Sequence, residues 1–395
     1  MRVKNIKLIL LTIIVISVLS SCALIRVNKL AKSLETHSLI SKDFVQKIKF
    51  RQDNRNIYIE AKVNGDSINR EYIVDTGSPC LFFTKSKDTL NLTPKRLYNF
   101  GKNNRADYGS TNAKIGSLQY ENLSYIMLKS NWDFAQLGML GVNTMQNSIW
   151  SFNFTDSIIT ISDKIENFKN IDNAFKIDFK PRRTQETPYI QGVINKKDTV
   201  SIMVDSGDPT FIKGYPWDKN KFDISPENVR ILKLNWNLYG SNLKKDSIAT
   251  KKYLMLNTLK IGDYEIKNII VEGGVYQLGL GFLKNFETTI DWVNHHFYFK
   301  ENKTTDFPKN IFTYGFKLIN HNGKLKVGGL YNESTISKLG VKLGDEILSI
   351  NGIDINNLDE NVLEKINNKL PVDDEFVFVI KGIESEITLK KESLF

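Results

Sequence analysis

Apolar and polar positions along most of this chain trade places over short distances. Ile57 to Val63 is an apolar, β-branched stretch that stops at Asn64-Gly65, and Tyr189 to Ile194 is another that stops at Asn195-Lys196. Such runs, broken by Asn, Asp and Gly, suit a pleated and half-buried surface better than a helix face, which predicts mainly β structure through the middle of the chain. Asn64-Gly65 and Gly262-Asp263 carry the chemistry of tight hairpin turns. Helical signals are confined to the flanks. Leu30, Leu34, Leu39, Ile40, Phe44, Val45 and Ile48 are spaced for a helix in a tether, and Leu358 to Leu370 predicts a second helix near the C-terminus.

The strand pattern occurs twice. Tyr72-Ile73-Val74-Asp75-Thr76-Gly77-Ser78 returns as Ile202-Met203-Val204-Asp205-Ser206-Gly207-Asp208, at an offset of 130 residues. Tyr108-Gly109-Ser110 returns as Tyr239-Gly240-Ser241, and Lys114-Ile115-Gly116 as Lys260-Ile261-Gly262 after a longer insertion. Leu140-Gly141, leading to Ser151-Phe152-Asn153-Phe154, returns as Leu278-Gly279, leading to Thr289-Ile290-Asp291-Trp292. Matched blocks in one order indicate a duplication, with lobe one over residues 49–165 and lobe two over 172–302.

One Asp-Thr-Gly after a strand is most often a turn, because Asp accepts nearby backbone N–H groups and Gly admits a positive φ. That explanation does not account for two copies on duplicated lobes. Packed about a pseudo-twofold axis, the lobes would bring Asp75 and Asp205 together, and two carboxylates a few ångström apart share one proton. The ionised member would take a proton from a water while the neutral member donates to a scissile carbonyl. Thr76 and Ser206, with Gly77 and Gly207, would hold the two loops in place.

This double apolar-apolar-Asp-[Thr/Ser]-Gly pattern, with Met139-Leu140-Gly141 and Gln277-Leu278-Gly279, resembles the pepsin–retropepsin family of aspartyl proteases. The resemblance covers roughly residues 50–300. It implies two β-barrel lobes with an active-site cleft between them, peptide hydrolysis by Asp75 and Asp205, no metal, no cofactor, and a hairpin flap. Tyr108-Gly109 resembles the Tyr-Gly of the pepsin flap. Ser78 conforms to the family, whose hydroxyl at that place donates to the catalytic carboxylate. Asp208 departs from it. An ionised Asp208 would repel the dyad and raise its pKa, a protonated one would donate, and one turned outward beside Pro209 would meet solvent. An inactive second site would leave a peptide-binding protein without catalysis.

From Tyr314 the pattern changes. Glu333 to Val341 leads to Gly344-Asp345-Glu346-Ile347-Leu348-Ser349-Ile350-Asn351-Gly352, with strands expected over Phe376–Ile380 and Glu386–Leu389. This resembles an α+β PDZ domain, here over 311–395. The resemblance implies that Tyr314-Gly315-Phe316 is a carboxylate-binding loop and that peptide C-termini are captured by strand addition.

The N-terminus changes the expected location. Arg2, Lys4 and Lys7 precede an apolar run from Leu8 to Leu19, which is short against the roughly 20 residues of a spanning helix. Leu19-Ser20-Ser21-Cys22 resembles the lipobox of bacterial lipoproteins, implying a signal peptide over 1–22, a lipidated Cys22 and a tether over 23–48. Ala23 in place of Asp points, by the same likeness, to an outer membrane of the cell envelope. Of two cysteines, Cys80 is then left without a partner and is expected to be a buried small residue. The net charge of +10 is scattered, with no basic run interleaved with aromatics, so no nucleic-acid partner is expected. The four histidines offer no zinc spacing, and no G-x-S-x-G is present. Two lobes in one chain make a monomer sufficient, with polypeptide as the substrate.

Overall fold

The computed structural model describes residues 38–100, 104–128, 136–182, 186–214, 225–239, 248–302, 307, 309–355, 375–383 and 385–395. Lobe one contributes β1 (Val45–Lys49), β2 (Arg51–Gln52), β3 (Ile57–Val63), β4 (Arg70–Val74), β5 (Leu81–Phe83), β6 (Lys95–Phe100), β7 (Asn104–Ile115), β8 (Leu118–Leu128), β9 (Gly138–Leu140), β10 (Ile149–Asn153) and β11 (Ile158–Ser162). Six of them close into a barrel in the order β3-β4-β9-β5-β8-β7, sealed by Lys62↔Lys114 and Val63↔Ala113. Alternation decides which face turns inward. In β3, Ile57, Ile59, Ala61 and Val63 are buried while Glu60 is exposed. Asn64 (φ +54°) and Gly65 (φ +75°) then reverse the chain as the Asn-Gly pair predicts.

Lobe two repeats this plan with β12 (Phe175–Asp178), β13 (Lys180–Pro181), β14 (Pro188–Ile194), β15 (Asp198–Val204), β16 (Ile212–Lys213), β17 (Val229–Asn235), β18 (Ile248–Ile261), β19 (Tyr264–Glu272), β20 (Gln277–Leu278), β21 (Phe286–Asp291) and β22 (His296–Glu301). Its barrel runs β14-β15-β20-β16-β19-β18 and is sealed by Val193↔Lys260 and Ile194↔Leu259. In both lobes the strand carrying the Asp loop lies parallel to the Leu-Gly strand: Val74↔Leu140 in one, Val204↔Leu278 in the other. The paired Lys-Ile-Gly blocks also superpose in role, since Gly116 and Gly262 open two-residue turns at the same φ of +58°.

One sequence repeat does not survive. Tyr239 ends a 3₁₀ turn over Trp236–Tyr239, after β17 rather than on the counterpart of β7. The ladder Leu81↔Ile126↔Tyr108 corresponds to Lys213↔Glu272↔Tyr253, so Tyr253, and not Tyr239, stands where Tyr108 stands. The longer chain between β17 and β18 leaves Tyr239 outside that register.

A six-stranded sheet, β1-β11-β10-β21-β22-β12, runs beneath both barrels and joins them through β10 and β21, where Thr289 donates to Ser151 at 2.8 Å. Its aromatic residues Trp150, Phe152, Phe286, Phe297 and Phe299 belong to one core continuous with both lobes. The helix expected in the tether is absent from residues 38–48. Leu39 bridges Tyr120 and β1 pairs along β11 from Val45↔Ser162 to Lys49↔Ile158, because the open edge of β11 offers unpaired backbone groups that an extended segment satisfies.

The C-terminal part holds β23 (Phe312–Thr313), β24 (Phe316–His321), β25 (Lys324–Tyr331), β26 (Ile347–Ile350), β27 (Ile353–Asp354), β28 (Glu375–Ile380), β29 (Ile387–Lys390) and β30 (Glu392–Ser393), with a short helix at Thr335–Lys338. It has its own core around Val327, Ile336, Ile350, Phe376 and Phe378. The helix expected over 358–370 lies outside the described residues. This part is not hung on a free linker: β25 pairs with β17 (Leu232↔Tyr331, Leu234↔Gly329), so the lobe-two sheet continues into β25 and β24. A separate apolar cluster of Leu232, Tyr253, Ile270, Tyr331 and Leu394 fills that seam.

Candidate active site

Asp75 and Asp205 follow the last residues of β4 and β15, and each backbone N–H is fixed on the adjoining Leu-Gly strand: Asp75 on Leu140 at 3.0 Å, Asp205 on Leu278 at 2.9 Å. The two loops are locked to each other. The Thr76 hydroxyl donates to the Val204 carbonyl (2.9 Å) and accepts the Ser206 N–H (2.9 Å), while the Ser206 hydroxyl donates to Val74 (2.9 Å) and accepts the Thr76 N–H (3.0 Å). Both side chains are buried, so every donor and acceptor in this cross-brace is satisfied by the opposite lobe. The glycines finish the fit. A Cβ on Gly207 would lie 2.5 Å from the Asp75 carboxyl carbon, and one on Gly77 would overlap the Asp205 carboxyl. Each aspartate lies over the other loop's glycine, and no larger residue fits at either.

The two carboxyls are thereby set side by side, close enough for each to act on the other's protonation. Asp75 accepts the Gly77 N–H at 2.8 Å and the Ser78 hydroxyl at 2.7 Å. Asp205 accepts the Gly207 N–H at 2.8 Å and the side-chain amide of Gln277. Burial, and then the charge of Asp75, push the pKa of Asp205 well above the usual carboxylate range. Of the three readings open to Asp208 in the sequence, the ionised one holds, and its charge is one of the smaller contributions that raise Asp205. Its carboxylate accepts from the Lys213 ammonium, the Thr210 hydroxyl and the Thr210 N–H (2.9 Å). Burial opposes its ionisation, but Lys213 and Thr210 outweigh that and hold its pKa below the usual range. It is therefore a charged, paired group with no hydrogen bond to the Asp205 carboxylate among the described contacts.

No family model matches the chain, and no curated protein matches it. Among solved structures the chain is similar to an aspartic proteinase from Irpex lacteus, at 11% identity and a TM-score of 0.42, over 66% of this chain and 98% of that one. The two-barrel fold rests on the strand order and register above.

The other candidate residues fall as follows. Tyr108 is half-buried at the base of the β6–β7 hairpin, paired to both β6 and β8, and the reversal at 101–103 lies outside the described residues. Gly109 has a packing reason: a Cβ there would lie 2.5 Å from the Tyr125 hydroxyl, on the ring that makes an edge contact with Phe82. Cys80 is a free, fully buried thiol, pushed up to about 12 by that burial. Tyr314 and Phe316 are buried against Phe376 and Phe378, Gly315 adopts φ +85°, and its N–H meets the Thr313 hydroxyl at 3.2 Å. Cys22 lies outside the described residues. Among the described residues no cluster of three or more His, Cys, Asp or Glu is placed to hold a metal ion.

Sequence reasoning missed Gln277 and Lys213. The signal for Gln277 was in the repeat itself, where a polar residue stands opposite Met139 in a strand otherwise apolar on both faces.

Proposed function

We propose that this protein is an aspartyl endopeptidase in which Asp75 and Asp205 activate one water. The observation that carries the reading is the reciprocal brace of Thr76 and Ser206, which sets two carboxyls against each other over two glycines. In this reading Asp75 is the ionised member, with its charge held by Gly77 and Ser78, and Asp205 keeps the shared proton because burial and its neighbour disfavour a second charge. The water gives a proton to Asp75 as its oxygen attacks the scissile carbonyl, while Asp205 donates to the carbonyl oxygen. As the C–N bond breaks, Asp75 passes its proton to the leaving amine and a hydroxyl of the diol returns a proton to Asp205 as the carbonyl reforms. Water attacks directly, so no acyl-enzyme forms.

The same proposal gives the C-terminal part a PDZ role, binding substrate or partner C-termini at Tyr314-Gly315-Phe316, and places the protein on the bacterial envelope through a lipid on Cys22. The alternative of a catalytically inactive peptide binder rests on Asp208, and the pairing of that residue with Lys213 favours the peptidase reading over it. The test is digestion of a denatured-protein mixture by residues 23–395, from about pH 3 to about pH 8, beside Asp75→Asn. Cleavage by the wild type alone supports the proposal, whereas no cleavage at any pH, or equal cleavage by both, rejects it.

A further inference from the structure

Comparing the two lobes strand by strand shows three linked exchanges beside the dyad. In lobe one, Met139 on β9 pairs with Ile73 on β4 and Leu81 on β5, and belongs to an apolar cluster with Tyr58 and Phe83. In lobe two the same ladder places Gln277 on β20 between Met203 on β15 and Lys213 on β16. The third exchange is Ser78 for Asp208. Thus Ser, Leu and Met around one aspartate become Asp, Lys and Gln around the other.

Each polar newcomer has a partner. Lys213 neutralises Asp208, and the Gln277 amide, with the residue only 4% exposed, donates to Oδ2 of Asp205, the oxygen that the Gly207 N–H leaves free. Burying an amide is costly unless its hydrogen bonds are made, and here the partner is the reacting carboxyl itself. From these contacts we infer that Gln277 is the positioning residue for Asp205, supplying from β20 the donor that the hydroxyl of Ser78 supplies to Asp75, and that the Asp208–Lys213 pair compensates the position that gave up that role. The inference rests on the dyad reading above and assigns the dyad a specific control. Two donors then serve each aspartate: Gly77 and Ser78 on one side, Gly207 and Gln277 on the other.

A donor to a carboxylate favours its charged form, so losing it raises the pKa. Gln277→Met installs the residue lobe one already accommodates in this register. Titration of the ¹³C-labelled aspartate carboxyls, assigned with Asp75→Asn and Asp205→Asn, should show the last ionisation of the pair rising by about one pH unit in Gln277→Met, with the alkaline limb of kcat/KM moving up by the same amount. Adding Asp208→Ser and Lys213→Leu, which completes the lobe-one set, should return it toward the wild-type value. A folded Gln277→Met whose aspartates titrate as in the wild type overturns the inference. If that variant does not fold, the side-chain amide proton of Gln277 in the wild-type protein decides: it should shift as the pair titrates, and a flat response overturns the inference. A wild type that cleaves nothing but shows these titration shifts would sink the protease reading and leave the Gln277 contact standing.

Discussion

Asp205 is half-buried beside a second carboxyl, and its protonation therefore couples folding to pH. Its folded pKa is raised above the unfolded value, so the native state holds more protons than the unfolded chain, and stability falls as pH climbs from the ordinary aspartate range, about 3.9, through the raised folded value. Asp205→Asn carries no such penalty. Melting temperatures of the two proteins, compared from about pH 4 to about pH 8, should separate progressively in favour of Asp205→Asn, and a constant difference would mean that Asp205 is not perturbed by folding. The paired Asp-[Thr/Ser]-Gly was legible in the sequence because its chemistry is local. The partners of Asp205 and Asp208 were not. Gln277 is 72 residues from Asp205, and only the strand register brings them together.

Between the loops, the Thr76–Ser206 brace joins elements far apart in the chain and leaves no hydroxyl unpaired. Removing either hydroxyl strands a backbone N–H and a carbonyl in a buried place, so Thr76→Ala and Ser206→Ala should each cost about 1–3 kcal/mol in urea unfolding. Because the two hydroxyls share one network, the double variant should cost clearly less than the sum, and strict additivity would show that the loops are held independently. Most of this level could be read from the sequence. Period-two alternation gave the barrel strands, and Asn64-Gly65 and Gly262-Asp263 gave their turns. Two readings failed for physical reasons. The segment before Phe50 has apolar spacing compatible with a helix, yet the open edge of β11 captures it as a strand. Tyr239 repeats the residues of Tyr108 but not its place, since the longer chain between β17 and β18 leaves it outside that register.

The molecule as a whole is less modular than its sequence suggests. An edge strand's own pattern does not encode its partner, and nothing in Val229–Asn235 announces that β25 will pair with it. Through that pairing the hairpin of β17 and β18, the lobe-two counterpart of β6–β7, is held by the C-terminal part. The seam adds Tyr253 against Tyr331, at 5.9 Å between ring centroids, together with Leu394 and Phe395. Leu394 is buried there, and Phe395 lies under Arg230 with its backbone N–H on Asn310 at 3.0 Å. Lobe two and the C-terminal part should therefore melt in one calorimetric transition, and deleting Leu394 and Phe395 should lower its midpoint by several degrees, roughly the effect of 1–3 kcal/mol in a domain of this size. Two separate transitions, with only the later one affected, would show an independent module.

All of this converges on one claim, that two lobes are braced so that two aspartates act as a single catalytic unit. The measurement that tests it most directly is peptide cleavage by Asp75→Asn, Asp205→Asn and the double variant, each checked for native folding. Groups that work as one are not additive, so each single variant should lose at least about 10³-fold in kcat/KM and fall close to the double variant. If either single variant kept near wild-type activity, the shared dyad would be wrong and the symmetry of the two lobes would have to be explained by structure alone.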